Sequence, residues 1–181
     1  MKKEYRKLRR RPLFTPLLAP FLGGVVFVLA LGWLWSVKGT TTVILVRHAD
    51  VQQLDGGGVE LNDTGYFRSR SLAGWLKPSG ITRIYISDYR PTRLTAEPVA
   101  KATGAEIVEI PARETDRLVR ELEALRGDTV LVIGQAETLP GIVTELSGKR
   151  PEVGPDDYSA LYIVTDSVLT RARLLTLRYG G

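Results

Sequence analysis

Between residues 42 and 177, short apolar segments rich in β-branched residues alternate with amphipathic segments, and this alternation is the strongest constraint on the fold. Parallel strands need long crossover connections, which are usually helices, so the pattern predicts an α/β three-layer sandwich with a mostly parallel central sheet. A Gly-rich loop is predicted over 51–60. Strands are predicted at 42–46, 82–87, 106–110, 129–133, 161–165 and 173–177, and helices at 63–77, from Pro91 to Gly104, 114–126 and 138–147.

The excess positive charge of the chain is concentrated at its N-terminus. Residues 1–12 carry seven Lys or Arg and one Glu, and the remaining chain has 18 basic against 19 acidic residues. The net charge of +5 and the pI near 9.6 therefore do not describe the folded part. A nucleic-acid partner is not expected, because binding to a polyanion needs a basic surface on the folded domain.

Residues 13–37 form a run of 25 residues without a charge. A helix of this length would span about 37 Å, which exceeds the roughly 30 Å of a hydrocarbon core. Trp33 and Trp35 lie near its end, where indole rings favour the membrane interface. We interpret the run as an uncleaved transmembrane anchor. A cleaved signal peptide is the alternative, although it would have a shorter apolar core that ends in small residues.

These segments predict a single-pass protein with an extracytoplasmic domain. A basic arm stays on the cytoplasmic side, so the chain after the anchor is placed in the periplasm or outside the cell. The predicted organisation is a cytoplasmic arm at 1–12, an anchor at 13–37, a linker at 38–42 and one domain at 43–181.

Ligands of such sheets bind beyond the carboxyl ends of the strands, and three predicted strand ends carry suitable groups. Arg47 and His48 follow the first strand, and Gln135 and Glu137 follow the fourth. Guanidinium groups and helix N-termini bind phosphate, and an imidazole beside that phosphate can act as a nucleophile. The second strand is followed by the segment Ser87, Asp88, Tyr89, Arg90, Pro91, Thr92 and Arg93.

Four segments in order resemble the motifs of the histidine phosphatase (phosphoglycerate mutase-like) superfamily. The resemblance covers about residues 41–179 and implies a minimal member without a large cap domain. LVRHAD resembles the Arg-His motif that ends the first strand. The others are LNDTGYFRSRSLAGWL, which resembles Leu-(Ser/Thr)-x-x-Gly; IYISDYRPTRLTAEPVA, which resembles Ser-(Pro/Asp)-x-x-Arg-Thr-x-x-Thr-Ala; and TVLVIGQAETLPGIVTELSG, which resembles the segment with Val-Gly-His-Ser.

The resemblance implies roles for individual residues. His48 would be the nucleophile that is transiently phosphorylated, and Arg47 would be the first phosphate clamp. The family's second arginine aligns with Pro91, and its second histidine aligns with Gln135. His48 is the only histidine of the chain, so the family's histidine pair is incomplete. Arg90 and Arg93 flank the missing arginine and are predicted, with Gln135, to bind substrate.

The acid that protonates the leaving group is left open among Glu137, Asp88 and Glu109. The reaction would use no metal and no cofactor, and a chain with no Cys and one His offers few zinc ligands. The predicted function is a weakened membrane-anchored phosphomonoesterase, with a phosphorylated small molecule or a phosphoprotein as partner. The alternative is an inactive pseudophosphatase that binds a phosphorylated or anionic ligand or serves as a tethered interaction module. The sequence predicts no oligomeric state.

Overall fold

The computed structural model describes residues 15–151, 154, 157–167 and 170–179, with side chains at all of these positions except 15–19, 35–38 and 170–171. The chain divides into two units, residues 1–37 and 38–181. Helix α1, Thr15–Lys38, contains Pro20, and every side chain described from 20 to 34 is exposed. Within the described part of the chain, no helix combines the length and the hydropathy that a membrane span needs. The predicted arm, and part of the predicted anchor at 13–37, lie outside the described residues.

The second unit is built on a six-stranded sheet in the order β5-β4-β6-β1-β7-β8. Strands β5, β4, β6 and β1 are parallel, and β7 and β8 continue the sheet as an antiparallel pair. The predicted α/β class and mostly parallel sheet are confirmed. The strands are β1 Thr41–Arg47, β4 Arg83–Ile86, β5 Glu106–Glu109, β6 Thr129–Gly134, β7 Ala160–Ser167 and β8 Thr170–Arg178, and the helices are α2 Asp63–Leu76, α3 Arg90–Thr103, α4 Thr115–Ala124 and α5 Leu139–Ser147.

Alternate residues of the central strands fill two cores, because successive side chains of a strand point to opposite faces. Leu45 and Val132 lie in the core beneath α4 and α5. Ile44 and Leu131 lie in the core beneath α2 and α3. All four side chains are buried, so β1 and β6 are covered on both faces. This double burial explains their uninterrupted apolar sequences and fixes the carboxyl ends of both strands side by side.

Residues 51–60 differ from the prediction of a loop. They contribute most of a short hairpin in which β2, Val51–Gln53, pairs antiparallel with β3, Val59–Leu61. The turn contains Gly56 and Gly57, both with positive φ, which a residue with a Cβ adopts at a cost. Each strand has only three residues of mixed polarity, so the sequence lacks the alternation that would have indicated them. The hairpin begins at Val51, three residues after His48.

Candidate active site

His48 lies at the carboxyl end of β1 with only 5 % of its surface exposed. Its backbone N–H donates to the carbonyl of Gly134 at the end of β6, 3.0 Å away. Its ring Nδ1 is 2.9 Å from the carbonyl oxygen of Ala49. A carbonyl only accepts hydrogen bonds, so we assign the proton to Nδ1, and Nε2 then keeps the free lone pair. The backbone therefore selects the nitrogen that is available as a nucleophile.

The pKa of His48 is lowered from its ordinary value of 6.5, chiefly because burial disfavours the charged imidazolium. The hydrogen bond to Ala49 raises the pKa, Arg47 lowers it, and the carboxylates of Glu137 and Asp50 raise it to smaller extents. The net effect is a neutral imidazole over a wider pH range. A neutral imidazole is the form that can attack phosphorus.

The ring of His48 opens onto a cleft of about 370 Å³ at the carboxyl edge of the sheet. The charged groups of the cleft wall are the Arg47 guanidinium and the Glu137 carboxylate. A cleft with one guanidinium and one imidazole can hold a phosphoryl group, but it offers fewer donors than a pocket with several cations. The lining residues are Arg47, His48, Val51, Tyr89, Gln135 and Glu137.

Two tyrosines flank the imidazole, and no sequence pattern singled out either of them. The ring of Tyr89 meets the His48 ring edge-on at 5.4 Å between centroids, and the ring of Tyr158 lies 5.8 Å away. Arg47 donates from Nη2 to the Tyr158 hydroxyl at 3.2 Å, and its guanidinium carbon lies 4.0 Å from the centre of the Tyr158 ring. Tyr158 therefore fixes the guanidinium beside the nucleophile.

The loop after His48 is held by α2 and α3. Ala49 donates its N–H to the hydroxyl of Thr95 at 3.0 Å. The Asp50 carboxylate accepts two hydrogen bonds from Arg68, at 2.7 and 3.4 Å. Gly65 of α2 packs so closely on this loop that a Cβ there would stand 2.1 Å from the Asp50 carbonyl oxygen. These contacts explain why the glycine is needed in the helix that follows the hairpin.

Replacing Gly65 by Ala is expected to disturb the loop, because the new Cβ must displace the Asp50 carbonyl. We expect a loss of about 1–3 kcal/mol and a melting temperature lower by roughly 4–12 °C, measured by circular dichroism. Gly74→Ala is the matched control, since Gly74 lies in the same helix and no atom lies within 4 Å of the point where its Cβ would stand. Equal melting temperatures for the two variants would contradict the packing argument.

Comparison with known proteins gives a match to one family model. Residues 43–123 match the model described as histidine phosphatase superfamily (branch 1). Over this segment the chain is similar to the histidine phosphatase superfamily. A search of the curated proteins gives no match to the sequence.

Solved structures of histidine phosphatases share the fold of this domain. The protein histidine phosphatase SixA, complexed with tungstate, is 23% identical with a TM-score of 0.65, over 76% of this chain and 96% of that chain. SixA from Nakamurella multipartitia is 21% identical with a TM-score of 0.56, over 78% and 97%. The mycobacterial glucosyl-3-phosphoglycerate phosphatase is 15% identical with a TM-score of 0.62, over 77% and 99%.

The arginines predicted to replace the missing histidine phosphatase clamp lie outside the cleft lining. Arg90 donates to Glu60 at 2.9 Å and Arg93 to Glu109 at 2.5 Å. The structure therefore does not bring these two arginines, which are predicted to bind substrate, into the cleft lining. The buried face of α3 carries Pro91, Thr92, Thr95, Ala96 and Val99, so the intervening arginines face solvent.

The structure separates the three candidate acids of this domain. Glu137 lines the cleft. Asp88 is exposed and accepts a hydrogen bond from the N–H of Ala112, whereas Glu109 is engaged by Arg93. Glu137 is therefore the candidate whose carboxyl can reach a leaving group in the cleft.

Gln135 is the residue that the resemblance aligns with the second family histidine. It lines the cleft, and its Nε2 lies 3.4 Å from the Ser87 hydroxyl, to which it donates. An amide can offer a hydrogen bond to a phosphoryl oxygen, but it carries no charge. Arg47, His48 and Gln135 are thus brought together as predicted from the strand ends.

Proposed function

We propose that this domain is a phosphomonoesterase that acts through a phosphohistidine intermediate on His48. The observation that carries the proposal is the buried imidazole, whose Nδ1 is hydrogen-bonded to Ala49 and whose ring faces a cleft containing Arg47. The match of residues 43–123 to the histidine phosphatase superfamily model supports the same activity. SixA is named as a protein histidine phosphatase, which favours a phosphoprotein or a phosphorylated small molecule as the substrate class.

The proposed reaction has two steps. His48 Nε2 attacks phosphorus, the bond from phosphorus to the ester oxygen breaks, and Glu137 donates a proton to the departing oxygen. Water then attacks phosphorus and gives a proton to the Glu137 carboxylate, the bond from phosphorus to His48 Nε2 breaks, and inorganic phosphate leaves the neutral imidazole behind. Arg47 stabilises the charge on the phosphoryl oxygens in both steps. Residues of the chain supply every group in this scheme.

We further propose that catalysis is weak. Among the described residues the cleft wall contributes a single guanidinium, and Gln135 stands where the resemblance expects an imidazole. Loss of one donor to the transition state commonly costs about 10²–10³ in rate. The same observation favours the second candidate function, a pseudophosphatase that binds a phosphorylated ligand without turnover.

Release of phosphate from p-nitrophenyl phosphate by the full chain in detergent tests the activity. Turnover supports the phosphatase. Binding of vanadate or tungstate in calorimetry without turnover supports the pseudophosphatase. The absence of both turnover and binding would contradict both proposals.

Anchoring by residues 13–37 is part of the proposal, on the strength of their uncharged sequence and the basic arm before them. With the basic arm on the cytoplasmic side, such an anchor would place the domain outside the cytoplasm. Resistance of the expressed protein to extraction by alkaline carbonate tests the anchor, and release into the soluble fraction would contradict it.

The pH dependence of His48 can be measured directly, because the chain has a single histidine. In the ¹⁵N NMR spectrum of protein with a histidine-free tag, we expect a titration midpoint below pH 6.5, since burial lowers the pKa of His48. Above the midpoint, the remaining ring proton should lie on Nδ1. Glu137→Gln should lower the midpoint further, because the Glu137 carboxylate raises the pKa of His48. A midpoint above 6.5 would contradict this electrostatic description.

The lowered pKa of His48 also makes the free energy of unfolding depend on pH. Above pH 6.5 the imidazole is neutral in both folded and unfolded chains and contributes nothing. As the pH falls below 6.5, the unfolded chain binds the proton more readily, so the free energy of unfolding decreases until the folded pKa is passed.

A further inference from the structure

Strand β8 is the outermost strand of the sheet and the longer of its two edges. It runs for nine residues, and in the described part of the chain no strand pairs with its outer side. The opposite edge, β5, has four residues, and its exposed ends are the acidic residues Glu106 and Glu109. Short length and charge protect an edge strand from pairing with another chain. Both edges carry charged residues, which on β8 include Arg173 and Arg178, so the greater length of β8 is what makes it the more open edge.

Apolar side chains project from β8 into solvent. Leu175 is 53% exposed and Leu177 is 40% exposed. Leu175 pairs with Ile163 of β7, and Leu177 pairs with Leu161 of β7. Both of these β7 residues pack into the core beneath α2 and α3, so the two leucines lie on the same face of the sheet. The sheet therefore ends in an apolar strip that α2 leaves uncovered.

The neighbouring helix extends this apolar surface. Arg68 of α2 donates to the carbonyl of Tyr179, directly after β8, at 3.3 Å. Trp75 follows Arg68 by two helical turns and so lies on the same side of α2. Trp75 and Phe67 are each 59% exposed. We call Trp75, Leu175 and Leu177 the β8 surface, which contains three of the five large apolar side chains found exposed among the described residues of the domain; the other two are Phe67 and Leu54.

We propose that the β8 surface binds a second copy of this chain, with the two β8 strands antiparallel about a two-fold axis. A register centred on Thr176 sets Leu175 of one copy opposite Leu177 of the other, on the face beside α2. Arg173 then faces Tyr179 and Arg178 faces Leu174, so no arginine is opposed by an arginine. A symmetric interface needs a surface complementary to itself, and this strand meets that requirement.

The backbone of β8 decides between a second copy and a lipid surface. A bilayer could take up the exposed Trp and Leu side chains, but it offers no partners for the N–H and C=O groups of an edge strand. A second β8 supplies both the hydrogen bonds and the apolar contacts. The pairing extends the sheet without using the cleft of His48, so it does not depend on the proposed phosphatase activity.

Cysteine crosslinking tests the pairing, because the chain has no cysteine of its own. Full-length Thr176→Cys in detergent is expected to form a disulfide-linked dimer under mild oxidation. Glu106→Cys, on the protected edge β5, is the matched control and should remain monomeric. Equal crosslinking of the two variants, or none by Thr176→Cys, would overturn the proposal.

Light scattering on the full chain in detergent gives a second measurement. Leu175→Lys should weaken dimerisation about tenfold or more, because it places a charge in the apolar contact of both copies. Leu54→Lys is the control, since it alters an exposed leucine outside the β8 surface and should leave the dimer intact. A monomeric wild-type protein overturns the proposal. Monomers that bind vesicles of phosphatidylglycerol through Trp75 would assign the surface to a membrane instead.

Discussion

His48→Ala is expected to lower phosphate release from p-nitrophenyl phosphate by about 10³-fold or to the background rate. The substitution removes the nucleophile, and the remaining cleft groups can only bind the ester. No other histidine exists in the chain to take over the role. The measurement is the steady-state rate of the full chain in detergent, together with the amount of acid-labile phosphate that stays bound to the protein after rapid quenching. Both signals should disappear together.

Folding of the variant must be measured beside its activity, because His48 is buried. Circular dichroism and a melting curve would show whether the loop after β1 is retained. Added imidazole provides a sharper control, since it can enter the space left by the side chain and restore part of the rate. A folded His48→Ala protein that keeps more than a tenth of the activity would exclude phosphohistidine chemistry at this residue.

Gln135→His is expected to raise turnover by about 10²-fold. The new imidazole would occupy the cleft wall opposite Arg47 and, when protonated, would add a charged donor to the phosphoryl oxygens. The side chain of Gln135 makes one long hydrogen bond, to Ser87, so its replacement removes little stability. The measurement is kcat for p-nitrophenyl phosphate, with Gln135→Asn as the control that changes length without adding charge.

Pro91→Arg added to Gln135→His should increase turnover again, because it supplies the second guanidinium. The carbonyl of Pro91 accepts the Thr95 hydroxyl at 2.7 Å, and this backbone contact does not depend on the proline ring. An active wild type that gains nothing from either change would mean that Gln135 is already adapted to catalysis. An inactive wild type that gains turnover would identify a decayed site.

The fold was largely predictable because its elements carry complete local patterns. The uninterrupted apolar sequences of β1 and β6 reflect burial on both faces. The helix at 63–77 was indicated by Asn62, whose side chain accepts the N–H of Gly65 at 2.8 Å. The hairpin at 51–61 escaped prediction, because it is stabilised by its position against α2 and α3 and its own residues show no alternation. The antiparallel directions of β7 and β8 were not predictable either, because they are set by pairing within the assembled sheet.

The site was predictable only where chain order and strand ends determine it. Arg47, His48 and Gln135 meet because β1 and β6 are neighbours in a parallel sheet. Arg90 and Arg93 lie outside the cleft lining, and their closeness in sequence to Pro91 could not show this, because it does not give the helical phase that turns them to solvent. Tyr158 lies 111 residues after Arg47, and no motif connects the two. Such a contact becomes visible only when the chain is folded.

The hydrogen bond from His48 to Ala49 has a consequence for how this protein can change over time. The reacting nitrogen is chosen by a peptide carbonyl, which every amino acid possesses, and not by a neighbouring side chain. Mutations around the cleft can therefore weaken or strengthen binding without switching the imidazole to its other tautomer. If Gln135 and Pro91 weaken the proposed activity, the nucleophile proposed at His48 still keeps its orientation, and a small number of substitutions would then be enough to restore that activity.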